Sequence, residues 1–221
     1  MSDIKRKIIK ISAIVPALNE EKTIGDVLSI LSCLPEIDEI IVVNDGSDDR
    51  TAKIASTYPN VVLINLKKNC GKGAAVKVGL NYSHGNIILL LDADLIGLRS
   101  EHIYQLLKPV ISDKAVMSLG LFQKGRKITD LAQKITPHLS GQRAVRRDVL
   151  EKISDIDTAR FGLEIALTKQ VRSQRLPIVK VELYRLTHVT KEEKRGVLKG
   201  FVARLKMYWE IIRYYAKHTV K

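Results

Sequence analysis

The amino-acid sequence predicts an α/β fold: a mostly parallel sheet flanked by helices, followed by a basic amphipathic helix at the C-terminus. Three observations carry this. Short apolar runs of strand length alternate with segments of helical apolar spacing through the first half of the chain. The run Ile87-Ile88-Leu89-Leu90-Leu91 is continuous rather than alternating, as in a strand buried on both faces. Chemistry-bearing residues recur just after the apolar runs, where open α/β sheets bind their ligands.

Residues 8–15 read as the first strand; Lys10 interrupts an apolar stretch too short for a signal peptide. Residues 21–34 carry Ile24, Val27, Leu28 and Leu31 at helical spacing, residues 39–43 form the next strand, and a helix starts near Asp49. Residues 61–64 are a third strand, 72–82 a helix and 87–91 the fourth strand. This alternation implies right-handed crossovers and parallel pairing. In the second half, 115–122, 140–145 and 178–183 read as strands, 161–172 as a helix and 191–218 as a long basic helical segment. The division expected is one domain over 1–190, with halves 1–95 and 96–190, and an appendage over 191–221.

The formal net charge is +13, which points to phosphorylated ligands, an anionic membrane surface or nucleic acid. Aromatics make up 5% of the chain with no basic–aromatic interleaving, so nucleic acid is set aside. Cys33 and Cys70 lack metal-ligand spacing and suit a reducing cytosol. No apolar stretch approaches bilayer-spanning length, and a cytoplasmic protein is expected, at most at the inner face of the membrane.

Asp92-Ala93-Asp94 ends the buried fourth strand. Two carboxylates there are costly without a cation, and their spacing lets both approach one divalent ion; hard oxygen donors suit Mg²⁺ or Mn²⁺ holding substrate phosphates. Asn69-Cys70-Gly71-Lys72-Gly73 precedes a helix, where close backbone approach, exposed amides and Lys72 form an anion site. Asn44-Asp45-Gly46-Ser47 reads equally as a capped glycine turn and as a base contact through Asp45, since a carboxylate accepts from an imide N–H such as that of uracil. Residues 16–20, with Pro16, Ala17, Leu18 and Glu20, follow the first strand. His188 is a surface or core histidine unless the metal site recruits it. Glu164, among apolar neighbours, either pairs with a Lys or Arg or binds sugar hydroxyls. Leu198, Phe201, Leu205, Tyr208, Ile212 and Tyr215 form a stripe within 197–215 that packs on the domain or a homodimer partner, with peripheral contact to an anionic membrane as the alternative.

Taken together, "IVPALNEEKTIGDV", "EIIVVNDGSDDRT", "NCGKGAAVKVGL" and "GNIILLLDADL" resemble the nucleotide-sugar glycosyltransferases of the GT-A fold, family-2-like, with its Rossmann-like sheet. The resemblance implies that 1–95 is the nucleotide-binding half, with Asp45 on the base, Glu20 on the ribose, Asp94 on the metal, and Asp92 on the ribose or metal waters. Pro16, Ala17, Leu18, Gly71, Lys72 and Ala93 would line the nucleotide-sugar. "SGQRAVRRDVL", "FGLEIAL" and "LTHV" are similar to the glucosyl-3-phosphoglycerate synthases. That similarity implies Glu164 on the donor sugar, His188 on the metal, and Arg126, Thr129, Gly141 and Arg143 on the acceptor. One extra residue separates Arg126 from Thr129 relative to that group, and Leu186 stands where the group has an arginine.

What the resemblance implies is transfer of a hexose, glucose by the second similarity, from a UDP-sugar to the hydroxyl of a small phosphorylated acid such as 3-phosphoglycerate, with retention. An inverting route would need a base, and Asp155 with Asp157 is the nearest acidic pair. The alternatives are a polyprenyl-phosphate or cell-envelope glycosyltransferase acting at the membrane surface on a lipid phosphate, and a non-catalytic sugar-nucleotide binder.

Overall fold

The structure is a computed structural model that describes residues 9–123, 140–153 and 163–189. The elements in chain order are β1 (Ile11–Ala17), α1 (Ile24–Ser32), β2 (Glu39–Asn44), α2 (Thr51–Ala55), β3 (Val61–Asn65), α3 (Lys72–Tyr82), β4 (Ile87–Leu90) and β5 (Leu95–Ile96). They continue with α4 (Ser100–Ile111), β6 (Met117–Gln123), β7 (Arg143–Arg146), α5 (Arg147–Leu150), α6 (Leu163–Ser173), β8 (Ile178–Tyr184) and β9 (Thr187–His188). Seven strands form one sheet in the order β3-β2-β1-β4-β7-β6-β8, and β5 pairs separately with β9. Only β7 runs against the others in the large sheet. The mostly parallel sheet expected from the strand–helix alternation is therefore present, and it runs unbroken across both halves of the chain.

The central strands are apolar at nearly every position because both faces are covered. Ala13, Val15, Ile40, Val42 and Leu89 pack with α1 and α4, through Leu28, Leu31, Ile103 and Leu107. The alternate side chains Ile14, Ile88 and Leu90 pack on the other face with Val76 of α3 and Leu163, Leu167 and Val171 of α6. Leu89 is fully buried, and truncating such a side chain to Ala costs about 2–5 kcal/mol.

Most element ends lie within a few residues of the sequence reading, and three differences stand out. Strand β1 extends to Ala17, so Pro16 lies inside a central strand. Pro16 still matches Val43 in register, but the β1–β4 ladder has already ended at Ile14–Leu90. The Leu91 amide donates to Ile14 O and the Asp45 amide to Ala17 O, so Pro16 turns its missing N–H toward the β4 side, beyond that strand's end. The short strand expected over 140–145 begins at Arg143. Helix α4 was not anticipated, although Ile103, Leu106, Leu107 and Val110 hold helical spacing. The expected segment 191–218 lies outside the described residues.

Candidate active site

The carboxyl ends of β1, β2, β4 and the start of α3 meet in one place, and hydrogen bonds between their loops hold them there. Asn19, with φ +57°, takes the left-handed turn that asparagine tolerates. Its amide donates to Ser47 Oγ at 2.9 Å, and its side-chain carbonyl accepts from the Asp48 amide at 2.9 Å. The Glu20 amide donates to Thr51 Oγ1 at 2.8 Å and the Glu21 amide to Asp49 Oδ2 at 3.1 Å. Leu18 and Glu20 are thus carried on a loop stitched to the β2–α2 turn, directly after Pro16 and Ala17 at the end of β1.

Asn44 explains why an amide stands at that position. Its Nδ2 donates to Asn65 Oδ1 at 2.9 Å while its Oδ1 accepts from the Ser47 amide at 3.1 Å, two roles a carboxylate cannot combine. Asp45 is 4% exposed, and its two oxygens accept from the amides of Cys70 (2.7 Å) and Gly71 (2.9 Å). These are amides of the anion loop expected from the sequence, so Asp45 ties the β2 turn to that loop. The close approach depends on Gly46: with φ +73°, an added Cβ would meet Lys68 C at 2.8 Å and Asn69 N at 2.9 Å.

Asp92, Ala93 and Asp94 lie in the turn between β4 and β5. Leu95 pairs with His188 across the β5–β9 ladder, and the Val189 amide donates to Asp94 O at 3.1 Å. The imidazole of His188 is thereby brought beside the acidic turn from nearly one hundred residues away, and Phe122 lies against its ring at 5.6 Å. A tight reversal after β8 makes this possible. Arg185 adopts φ +61° and donates its amide to Gln123 O. His102 of α4 accepts the Arg99 amide at Nδ1, which leaves Nε2 as the donor to Tyr184 O at 3.0 Å.

Lys72, Asp92 and Glu164 form the charged centre. Lys72 Nζ donates to Asp92 Oδ1 at 2.5 Å and to Glu164 Oε1 at 2.6 Å. Burial alone would push the ammonium down, but the fields of Asp92 and Glu164 outweigh it and hold Lys72 above its ordinary range. Burial likewise works to raise Asp92, yet Lys72, the amide of Gln142 and, less strongly, His188 hold its carboxyl below the usual range. Gln142 Nε2 donates to Asp92 Oδ2 at 2.8 Å, and Ser140 Oγ donates to Gln142 Oε1 at 3.1 Å. Gly141 lies so close that an added Cβ would stand 2.6 Å from Lys72 Nζ and 2.7 Å from Asp92 Oδ1.

Of the residues expected on the acceptor side, Gly141 packs on the charged centre. Arg143 is 1% exposed, with Nε donating to Ser140 O and Nη1 to Thr168 Oγ1, so it lies beneath the site rather than on a surface an acceptor reaches. The sequence reading misplaced it because a basic residue in a loop-like motif carries no sign of its burial. Arg126, Thr129, Asp155 and Asp157 lie outside the described residues. Asn19, His102 and Gln142 escaped notice; Gln142 stands fifty positions from its partner Asp92, and nothing local announces that pairing.

Three comparisons bear on this arrangement. A dolichyl-phosphate beta-glucosyltransferase from Trichomonas vaginalis is 40% identical over 99 residues, covering 39% of this chain and 31% of that enzyme. Glucosyl-3-phosphoglycerate synthase from Petrotoga mobilis is 29% identical over 198 residues, covering 72% of this chain and 59% of that enzyme. The chain therefore spans about a third of the first relative's length and under two thirds of the second's. The crystal structure of glucosyl-3-phosphoglycerate synthase from Mycobacterium tuberculosis, in complex with Mn²⁺, UDP-glucose and phosphoglyceric acid, matches with a TM-score of 0.70 at 26% identity, over 89% of this chain and 79% of that one. Residues 12–169 match the profile of glycosyl transferase family 2, a stretch running from β1 through Glu164 on α6. With the GT-A sheet, the linked strand-end loops and the acidic turn in place, the chain belongs to glycosyl transferase family 2.

Proposed function

We propose that the chain moves a hexosyl group, glucose by the reading its relatives support, from a UDP-linked donor to the hydroxyl of a small phosphorylated acceptor, with retention. The single observation that carries this is the β5–β9 ladder, which delivers His188 to the acidic turn bearing Asp94. The donor set fits a divalent cation. Asp94 offers a hard carboxylate and His188 an imidazole, donors of a kind such a cation accepts; among the described residues no three His, Cys, Asp or Glu side chains are grouped to hold a metal, so diphosphate oxygens and water would have to complete the set. Mg²⁺ or Mn²⁺ held by Asp94 and His188 would neutralise charge developing on the leaving diphosphate.

The chain's own residues do the rest. Asp45 accepts from the base, and Glu20 and Asp92 hold the ribose. Lys72 exchanges one carboxylate contact for the departing β-phosphate, adding a positive charge where negative charge accumulates. Glu164 holds the donor sugar hydroxyls. The bond from the anomeric carbon to the β-phosphate breaks, the acceptor hydroxyl bonds on the face the diphosphate leaves, and its proton departs with that diphosphate.

Dolichyl-phosphate relatives favour a second reading, a lipid-phosphate acceptor. Such an acceptor would be met at the membrane surface; no helix among the described residues is long and apolar enough to cross a membrane. One screen separates the readings: UDP-glucose with Mn²⁺ or with EDTA, offered 3-phosphoglycerate or a polyprenyl phosphate in detergent, with product and anomeric configuration read by NMR. An α-glucosyl product on 3-phosphoglycerate supports the first reading, and a product on polyprenyl phosphate alone replaces it with the second. Equal turnover in EDTA overturns the metal assignment.

A further inference from the structure

Among the described residues Arg143 is the largest side chain with almost no exposed surface, and the reaction proposed above does not use it. It sits at the start of β7, between the sheet and α6. Its Nε donates to Ser140 O at 2.9 Å, and its Nη1 donates to Thr168 Oγ1 at 2.9 Å with the Met117 sulfur at 3.7 Å. The Thr168 hydroxyl passes its own hydrogen to the backbone carbonyl of Glu164, one turn earlier, at 2.7 Å. Lys72, Gly141, Arg143, Leu163, Glu164 and Leu167 line one small gap beside the charged centre.

From this geometry we infer that Arg143 is a positioning residue: through the Thr168 hydroxyl it fixes the first turn of α6, so that the Glu164 carboxylate is held on Lys72 at the donor-sugar end of the site. The inference rests on the proposed role of Glu164 in binding the donor sugar. Burial is costly to the guanidinium and lowers it to about 10, against the opposing fields of Glu164 and Asp92. A well-packed apolar side chain would serve simple adhesion between β7 and α6 as well or better. What an apolar residue cannot supply is a directed donor for Thr168 together with a fixed positive charge beneath two carboxylates. The turn that carries Glu164 is anchored at one end to Lys72 and at the other to Arg143, and both anchors are hydrogen bonds of defined direction.

The test compares binding of UDP and of UDP-glucose to the full chain, each with Mn²⁺, by titration calorimetry. In Arg143→Met and Thr168→Val, UDP affinity should stay near wild type while UDP-glucose affinity falls about tenfold, the worth of one charged hydrogen bond. Arg143→Lys should recover part of the loss. An equal loss for both ligands, or no loss for either, overturns the inference, because a structural role alone would not separate sugar from nucleotide. If Arg143→Met does not fold, Thr168→Val decides by the same criterion. A wild type that binds UDP but gains nothing from the glucose defeats the role of Glu164 and this inference with it. Binding of neither ligand defeats the nucleotide reading itself.

Discussion

Replacing Lys72 with Met separates the charge network from everything else at the site. Methionine keeps the length and the apolar stem of lysine, so the perturbation is the loss of the ammonium that now lies 2.5 Å from Asp92 Oδ1 and 2.6 Å from Glu164 Oε1. Breaking a buried ion pair by removing one partner costs about 3–5 kcal/mol, because the other charge is left uncompensated. The side chains of Lys72 and Asp92 are 26% and 29% exposed, and that of Glu164 is 10% exposed. Partial solvation of the first two places the expected cost at the low end, about 3 kcal/mol, with Gln142 still serving Asp92. For a chain of this size that is a fall in Tm of about 6–12 °C.

The pH dependence has a definite sign. In the wild type, the depressed Asp92 contributes stability that is present above the unfolded carboxylate value, about 3.9, and lost as pH falls through its folded value. Lys72, held up, contributes stability that is present below about 10.4 and lost as pH rises beyond it. Both contributions are complete between about pH 5 and pH 9. In the variant, desolvation of Asp92 is no longer offset by lysine, so its carboxyl moves up and the folded state gains relative stability as pH falls. Urea unfolding at about pH 7.5 and about pH 5 should give a difference from wild type that shrinks at the lower value. A variant within about 0.5 kcal/mol of wild type at both values would refute the reasoning, since it would mean the two carboxylates need no cation.

Asp94→Ala, at a half-buried position, should abolish Mn²⁺-dependent turnover of UDP-glucose while cooperative unfolding is retained. Unchanged turnover would remove Asp94 from the metal. Gly141→Ala places a methyl carbon 2.6 Å from Lys72 Nζ and 2.7 Å from Asp92 Oδ1; overpacking of this kind costs about 1–3 kcal/mol, and turnover should fall more than stability because the displaced groups are those of the site. Turnover at the wild-type level with full stability would show that the pair can move without consequence. Asp45→Asn puts an NH₂ where one carboxylate oxygen accepts an amide, leaving a donor facing a donor at about 1–3 kcal/mol. Donor affinity should drop with little change in metal affinity, and an equal drop in both would point to a wider collapse of the Asn69–Gly73 loop.

The fold and half of the site were open to reading before any coordinates. Period-two and continuous apolar runs report local burial, so β1, β2, β4 and β8 could be assigned from composition alone, as could α1 and α3 from helical spacing. The strand-end motifs were legible for the same reason: Asp45, the Gly71–Lys72 loop and Asp92–Asp94 each lie within a few residues of an apolar run that fixes their place at one edge of the sheet. Sequence alone thus determined a mostly parallel α/β sheet with an acidic turn and a glycine–lysine loop on its carboxyl edge.

Tertiary structure decided which of those residues touch. Asp45 closes on the Cys70 and Gly71 amides, Lys72 spans Asp92 and Glu164 across 92 positions, and His188 reaches the acidic turn only because β9 pairs with β5. It also moved Arg143 from the expected acceptor surface to the underside of α6. Local sequence encodes the period of burial, which is set by neighbours one turn or one strand step away. Long-range pairing of polar groups is set instead by sheet order and by desolvation, which makes each buried charge find a partner wherever the fold brings one.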